Sequence, residues 1–304
     1  MSQSSLKLNE TTFAIPHYDL AATLGCGQAF RWEMRKARWY GVVQGCSIEL
    51  WQRAEKIFVR SAAPQTSWEW LANYLQVDVD LAAILDTFPQ DAPMQYAAAA
   101  CHGLRLLRQE PWECLASFIL SSTKQIVQIR QIIAQLCERH GNPVAGLPGE
   151  AAAFAFPTPA QIAALTDAEL RDCKMGFRAP YLLRAAQRIM ASELNLDGLR
   201  RLDLSEARAR LLQLPGVGPK IADCVLLFAY GFPTAFPVDV WVMKALRQLY
   251  FPKRRPSPQK LQRFVATHFG PNAGYAQQYL FHYIRTAGRR KEPGTIIDTP
   301  RARR

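Results

Sequence analysis

The spacing of apolar residues changes once along this 304-residue chain, near residue 93. Before about residue 62, apolar and polar side chains alternate, most clearly in 38–51 and 56–62, with interruptions at Gly41 and Gly45. A period of two is typical of antiparallel strands with one buried face. After residue 93, apolar residues recur every three or four positions, as they do on helices. The two periods predict a sheet followed by a helical bundle.

The helical pattern breaks into segments with recognisable ends. Residues 111–141 keep the helical period over more than two turns and end at Gly141. Two short helices are predicted at 68–75 and 81–85, and no strand pattern follows residue 105. Further helices are predicted at 159–165, 167–174, 180–193, 205–212, 219–230, 240–250, 258–269 and 274–285. The fold class is therefore α+β, with a small N-terminal antiparallel sheet domain followed by a mainly helical domain.

We expect an α+β sheet domain over residues 1–100, a helical domain over 101–290 and a flexible basic tail over 291–304. The content of 49% hydrophobic and 20% charged residues is close to globular averages, which excludes disorder over most of the chain. No apolar run approaches the length of a membrane-spanning helix. The N-terminus lacks the pattern of a secretory signal, which indicates an intracellular protein.

The cysteines are scattered, without a CxxC pair or a histidine at zinc-ligand spacing. We therefore expect reduced thiols, no structural metal and no cofactor. The seven are Cys26, Cys46, Cys101, Cys114, Cys137, Cys173 and Cys224.

The positive charge is concentrated in the last third of the chain. Residues 1–200 contain 19 basic and 19 acidic side chains, whereas residues 201–304 contain 18 basic and 6 acidic ones. This asymmetry favours a polyanionic partner, and nucleic acid over membrane because no basic amphipathic helix with an aromatic face is evident. A solvated charged surface explains the same numbers, so charge alone leaves both interpretations open.

The segment LPGVGPK, residues 214–220, joins two predicted helices. Gly216 and Gly218 allow positive φ angles, and Pro219 suits the first turn of the second helix. Successive amides would then converge at a helix N-terminus, where a phosphate oxygen can bind. For a lone GxG, an ordinary turn between helices would be the better explanation.

Lys220 follows this hairpin directly, and Asp239 comes 19 residues later in the string FPVDV. Because Pro237 cannot lie inside a helix, Asp239 falls at the start of the next one, where its carboxylate would cap the helix. Taken singly, the two residues are a surface lysine and an N-cap. Their combination with the hairpin and the local basic excess is specific.

LPGVGPK followed by FPVDVW closely resembles the helix-hairpin-helix DNA glycosylase superfamily, and most of all its 8-oxoguanine DNA glycosylase branch. Segments 25–32, 104–115, 176–179 and 275–277 are similar to the same branch, so the resemblance extends from about residue 12 to 285. It implies a bifunctional DNA glycosylase and β-lyase that excises 8-oxoguanine from duplex DNA in base excision repair. It also implies a monomer that works with DNA, in a bacterial cytoplasm and nucleoid or in a nucleus, without a membrane.

The resemblance assigns chemistry to two residues. Lys220 would be the nucleophile, whose amine attacks the sugar C1′, expels the base and forms a Schiff base. Since only an unprotonated amine attacks, Lys220 should lie in a partly desolvated pocket. Asp239 would stabilise the positive charge that develops on the sugar. The target nucleotide must first leave the base stack.

The resemblance also implies a base pocket. The Gly27 carbonyl would accept the N7 hydrogen that 8-oxoguanine has and guanine lacks. Gln277 would bond the Watson–Crick edge, while Cys224 and Phe281 would sandwich the ring. Each has a plainer explanation, because Cys224 and Phe281 suit a hydrophobic core and Gln277 suits a solvated helix.

The implied DNA contacts depart in part from the better-known eukaryotic pattern. Phe177 stands where a tyrosine wedge is common, and Arg178 is retained. Gln128 replaces an arginine that reads the opposite cytosine, and Thr123 opens the segment that replaces an asparagine cluster. A histidine two residues after the aspartate becomes Trp241. We therefore expect a looser preference for cytosine opposite the lesion, with Gly216 and Gly218 holding the DNA backbone.

Two alternatives remain. An alkylated-base glycosylase of the same superfamily activates water with the aspartate and lacks the lysine, so Lys220 argues against it. A non-catalytic DNA-binding module would keep the hairpin for backbone contacts, but would have no reason to keep both Lys220 and Asp239.

Overall fold

The computed structural model describes residues 8–122, 124–252 and 256–287. A five-stranded antiparallel sheet opens the chain, with the strands in the order β1-β5-β4-β3-β2. The strands are β1 Asn9–Ala14, β2 Glu33–Arg35, β3 Arg38–Val43, β4 Cys46–Arg53 and β5 Lys56–Ser61. In the register of this sheet, Leu50 lies opposite both Val59 and Trp39, and all three are buried. The predicted sheet is confirmed.

Helices follow the sheet, as the change of period predicts. Their bounds are α1 Leu20–Gly25, α2 Glu69–Leu75, α3 Leu81–Asp86, α4 Ala92–Ala100, α5 Pro111–Leu120, α6 Ile126–His140, α7 Pro159–Ala163, α8 Asp167–Asp172, α9 Ala179–Met190, α10 Leu204–Leu212, α11 Pro219–Val225, α12 Val240–Leu249, α13 Pro258–His268 and α14 Ala273–Ala287. Short 3-10 turns lie at Gly176–Arg178 and Asp197–Arg201, and a π-helical turn, Leu226–Tyr230, continues α11. The α+β fold class is confirmed.

The segment 111–141, predicted as one helical stretch, forms two helices, α5 and α6. Two further local predictions are wrong. Helix α1 lies inside the region assigned to strands, where the Asp19 side chain caps it by accepting from the Ala22 amide. A two-stranded antiparallel pair, β6 Pro143–Val144 with β7 Ala153–Phe154, follows residue 105. Both errors have one cause: a six-residue helix and two-residue strands are too short to display a period.

The described residues divide into two compact units, each drawn from two stretches of the chain. The first unit takes them from Met1–Val79 and Gly103–Phe232, and the second takes them from Asp80–His102 and Pro233–Arg304. This division differs from the predicted boundary between residues 100 and 101, which stays a prediction about domains. The predicted tail, 291–304, lies outside the described residues.

In the first unit, α11 packs against α5 as well as against α10, its partner in the hairpin. Helix α5 is buried along almost its whole length. In the second unit, α14 packs against α4 and α12. The residues expected in the active site are therefore carried by packed helices and by the loops that these helices anchor.

Candidate active site

The hairpin between α10 and α11 uses its two glycines differently. Gly216 has a φ of +79°, and a Cβ at this position would lie 2.6 Å from two ring carbons of Tyr181. Gly218 has a φ of −93° and is the N-cap of α11, and a Cβ there would meet nothing within 4 Å. The expectation of positive φ is confirmed for Gly216 and wrong for Gly218, because an N-cap residue takes extended backbone.

The hairpin also closes on itself. The Val217 amide donates to the Leu214 carbonyl at 3.1 Å, so this amide is not directed outward. Pro219 occupies the first turn of α11, as predicted, and contributes no amide hydrogen. The amides expected to converge on a phosphate are thus fewer than the sequence alone suggests.

Lys220 lies in the first turn of α11, half-buried, and its side chain reaches the C-terminal end of α5. Nζ donates to Oγ of Ser121 at 3.2 Å and lies 4.9 Å from the centroid of the Phe118 ring. Cys224, one turn further along α11, is 3% exposed. Burial raises the pKa of the neighbouring Cys114 thiol on α5 well above its usual range, and the Lys220 charge opposes that shift. The Lys220 amine thus lies beside a buried aromatic ring and a serine hydroxyl, and the desolvated pocket expected for it stays a prediction.

The loop at Gly27 is fixed by its neighbour, Gln28. Gly27 has a φ of +92°, a conformation that favours glycine. The Gln28 side chain is 1% exposed, and its Nε2 donates to the carbonyls of Thr23 and Arg105, both at 2.8 Å. The Gln28 carbonyl accepts from Nε2 of Gln109 at 2.7 Å. The sequence analysis assigned no role to Gln28, although a polar residue next to the apolar Ala29 and Phe30 was a signal.

In the second unit, Asp239 caps α12. Its Oδ1 accepts from the amides of Trp241 at 2.9 Å and Val242 at 2.8 Å, and the residue is half-buried. The cap predicted from Pro237 and the helical period is confirmed. A carboxylate held in this way has a fixed direction, which an electrostatic role in catalysis would need.

Gln277 and Phe281 lie one turn apart on α14, in the same unit. Gln277 is 3% exposed, and its Oε1 has no hydrogen-bond partner within the described part of the chain. Phe281 is half-buried, with the Arg285 guanidinium 4.9 Å from its ring centroid. The plainer alternative, a solvated glutamine, is wrong because the side chain is buried. A buried amide oxygen without a donor is costly and calls for a ligand or water.

Phe177 and Arg178 sit side by side in opposite environments. Phe177 is 53% exposed, as a wedge residue would be, and its ring contacts Tyr181 edge-on at 6.3 Å. Arg178 is 2% exposed and donates to the carbonyls of Met175, at 3.2 Å, and Ser122. Burial lowers the pKa of Arg178. In this arrangement the guanidinium serves the protein's own backbone, so its contact with an opposite base stays a prediction.

The remaining expected DNA contacts are less defined. Gln128 is exposed and completes a capping box at the start of α6, where its Oε1 accepts from the Gln125 amide at 3.2 Å. Thr123 lies outside the described residues. Gln128 therefore helps to cap α6, and its role at the opposite base stays a prediction.

A cleft of about 590 Å³ opens at the N-terminal end of α5 and is lined in part by Glu110, Trp112 and Asp197. None of the expected site residues lines it. Within the described ranges no group of three or more His, Cys, Asp or Glu side chains could hold a metal ion. None of the helices in the described part of the chain has the length and apolar content needed to cross a bilayer.

Two family models together match most of the chain. The model for the N-terminal domain of 8-oxoguanine DNA glycosylase matches residues 9–115, and the model for HhH-GPD superfamily base excision DNA repair proteins matches residues 116–271. These matches cover both the sheet and the hairpin.

Similar proteins are named as DNA glycosylases with lyase activity. The N-glycosylase/DNA lyase OGG1 of Arabidopsis thaliana is 31% identical over 91% of this chain and 78% of its own length. The N-glycosylase/DNA lyase of Saccharomyces cerevisiae is 30% identical over 76% of this chain and 68% of its own length. The crystal structure of Clostridium acetobutylicum 8-oxoguanine glycosylase/lyase with duplex DNA containing cytosine opposite 8-oxoG covers 93% of this chain and 98% of that one, at 31% identity and a TM-score of 0.86. The chain therefore belongs to the 8-oxoguanine DNA glycosylase family, within the HhH-GPD superfamily of base excision DNA repair proteins.

Proposed function

We propose that this protein excises 8-oxoguanine from duplex DNA and then cleaves the abasic strand through a Schiff base on Lys220. The observation that carries the proposal is the confined Lys220 amine on the second helix of the hairpin, beside Ser121 and Phe118. A lysine whose only task was surface charge would gain nothing from this position. The family membership and the glycosylase/lyase relatives support the same reaction.

The proposed reaction begins when the Nζ electron pair forms a bond to C1′ of the flipped nucleotide. The C1′–N9 bond breaks, its electron pair leaves with the base, and the base takes up a proton. Nζ then loses a proton, and its electron pair forms the C=N bond as the C1′–O4′ bond breaks and O4′ takes up a proton. Loss of a proton from C2′ forms a C2′=C3′ double bond as the C3′–O bond breaks, which releases the strand on the 3′ side with a 5′ phosphate.

Other residues would stabilise and select the reacting nucleotide. Asp239, ionised and held as an N-cap, would balance the positive charge on the sugar. The unpaired Oε1 of Gln277 would accept a hydrogen from the Watson–Crick edge of the base. The Gly27 carbonyl would accept the N7 hydrogen, and Cys224 and Phe281 would pack on the two faces of the ring.

The DNA around the lesion would meet the hairpin and the exposed wedge. Gly218 is suited to close approach by a phosphate, since none of the residues that the structure describes occupies the space beside its Cα. Phe177 would fill the gap left by the flipped nucleotide. Because Arg178 is engaged by backbone carbonyls and Gln128 carries no charge, we expect weaker discrimination between bases opposite the lesion than a bidentate arginine provides.

We also propose that the protein works as a monomer on duplex DNA, without a cofactor, in the nucleoid or nucleus. The alkylated-base alternative remains the competitor within the superfamily. It predicts excision without a covalent intermediate, whereas the proposed reaction predicts one.

The test is incubation with a duplex that contains one 8-oxoguanine, with and without borohydride. We expect wild-type protein to be trapped covalently and to cleave the strand. Lys220→Gln should abolish both, and Lys220→Arg should fail equally because a guanidinium stays protonated. Lys174→Gln, which removes an exposed lysine elsewhere in the same unit, serves as the control. Undiminished trapping in Lys220→Gln would overturn the assignment of the nucleophile.

A further inference from the structure

The hydroxyl of Ser121 contacts the Lys220 amine, and this contact constrains the direction of the amine. Ser121 follows α5 directly, and its Oγ donates to the Phe118 carbonyl at 2.7 Å. A serine hydroxyl has one hydrogen to donate. With that hydrogen given to Phe118, Oγ can only accept from Nζ of Lys220, at 3.2 Å.

The ring of Phe118 is the second group that contacts the Lys220 amine. Phe118 is 3% exposed and is packed between Phe30, edge-on at 5.5 Å, and Phe228, stacked at 5.7 Å. A side chain locked between two rings has little freedom to move aside. Nζ lies 4.9 Å from the centroid of this ring, so the amine is bounded by a rigid aromatic face and a fixed acceptor.

We propose that Ser121 is a positioning residue for the nucleophile, an inference that rests on the proposed function of Lys220. A neutral amine has two hydrogens and one electron pair. Because Ser121 takes one of the hydrogens, the electron pair is directed away from the end of α5. The amine then meets C1′ with its electron pair already oriented, and less rotational freedom is lost when it attacks.

The experiment compares three variants at neighbouring positions. Ser121→Ala removes the acceptor, and Ser121→Thr keeps a hydroxyl at the same place. Ser122→Ala is the matched control, because its Oγ donates to the Ile119 carbonyl at 3.3 Å and the backbone carbonyl that accepts from Arg178 is untouched. For each variant, single-turnover excision, borohydride trapping, duplex affinity and thermal unfolding are measured.

We expect Ser121→Ala to slow excision and trapping about tenfold, in line with the loss of one hydrogen bond, with duplex affinity unchanged. Its unfolding temperature should fall no more than that of Ser122→Ala, because each variant loses one bond from a hydroxyl to a backbone carbonyl. Ser121→Thr should recover most of the rate, and Ser122→Ala should match the wild type. A purely structural serine would lower the unfolding temperature further than Ser122→Ala does, along with the rate, and that result would overturn the proposal.

The two proposals fail in different ways. If Lys220→Gln is still trapped, the proposed nucleophile is wrong and the role of Ser121 falls with it. If Lys220→Gln is inactive while Ser121→Ala excises at the wild-type rate, Lys220 stands and Ser121 does not position it.

Discussion

The two compact units hold their expected site residues in different ways. In the first, Lys220 and Arg178 donate to the protein itself, and the loop at Gly27 is fixed by a buried neighbour. In the second, Gln277 buries an oxygen that no described residue satisfies, and Phe281 remains half-buried. Under the proposed function, this contrast divides the tasks: the first unit would set geometry before DNA arrives, and the second would keep hydrogen-bonding capacity for the base.

Asp239 is the exception within the second unit, because its carboxylate already caps α12. The proposed function gives it a second task. Substitutions of Asp239 that keep the helix cap but remove the charge are therefore the strongest test of the difference between the two units.

We expect Asp239→Asn to lower the excision rate about 100-fold, since an amide cannot balance a cationic sugar. Its free energy of unfolding should change little, because asparagine also caps helices. Asp239→Ala should lose the activity and also about 1 kcal/mol of stability. Single-turnover kinetics and urea unfolding measure the two effects. If Asp239→Asn excises at the wild-type rate, Asp239 is only a helix cap. It would then resemble the residues of the first unit, whose hydrogen bonds are made within the protein.

The two hairpin glycines of the first unit separate a structural role from a DNA-binding role. Gly216→Ala should cost about 2–3 kcal/mol of stability, because its φ of +79° and the Tyr181 ring both exclude a Cβ. Gly218→Ala should leave stability within about 0.5 kcal/mol and weaken duplex binding instead. Urea unfolding and duplex titration distinguish them. Equal loss of stability at both positions would show that Gly218 is structural as well.

Gln277 and its neighbour Gln278 test whether buried polar groups of the second unit lower the free energy of unfolding and serve base binding instead. Both side chains are buried, and each has one polar atom without a partner among the described residues, Oε1 in Gln277 and Nε2 in Gln278. Replacing either with leucine should leave stability equal or higher, because a buried unpaired group is removed. Only Gln277→Leu should slow excision, by about tenfold. A stability loss in Gln277→Leu would break the contrast, since the amide would then be serving the fold.

The smallest expected effect concerns the support of α11. Arg208 Nε donates to Oδ1 of the buried Asp223 at 2.7 Å. Burial raises the pKa of Asp223, and the Arg208 charge opposes that rise. Arg208→Met should therefore cost about 1 kcal/mol at neutral pH, where the carboxylate is left ionised and unpaired.

The sign of its pH dependence follows from the raised pKa of Asp223. A carboxyl of this kind favours the fold when protonated, and that contribution is lost as pH rises through the folded-state pKa. The stability difference between the wild type and Arg208→Met should accordingly shrink as pH falls from 7 towards 4. Urea unfolding at several pH values measures this difference. A difference that grows on acidification would contradict the assignment.

Much of the fold and part of the site followed from local rules. The change of period predicted the sheet and most helices to within a few residues. Pro237 placed Asp239 at an N-cap, and the glycine at 216 has the positive φ that its hairpin demanded. Each of these outcomes depends on residues a few positions apart, so one stretch of sequence contains the information.

What only the tertiary structure decided involves residues that are distant in sequence. Lys220 meets an acceptor 99 residues earlier, and Gln28 is held by Gln109, 81 residues later. The sequence predicted a DNA contact for Arg178 but not its burial, because burial depends on which carbonyls the chain brings to it. The same holds for the unpaired oxygen of Gln277. Periodicity shows which face of an element is apolar, whereas hydrogen-bond partners across the fold are set when the packed elements meet.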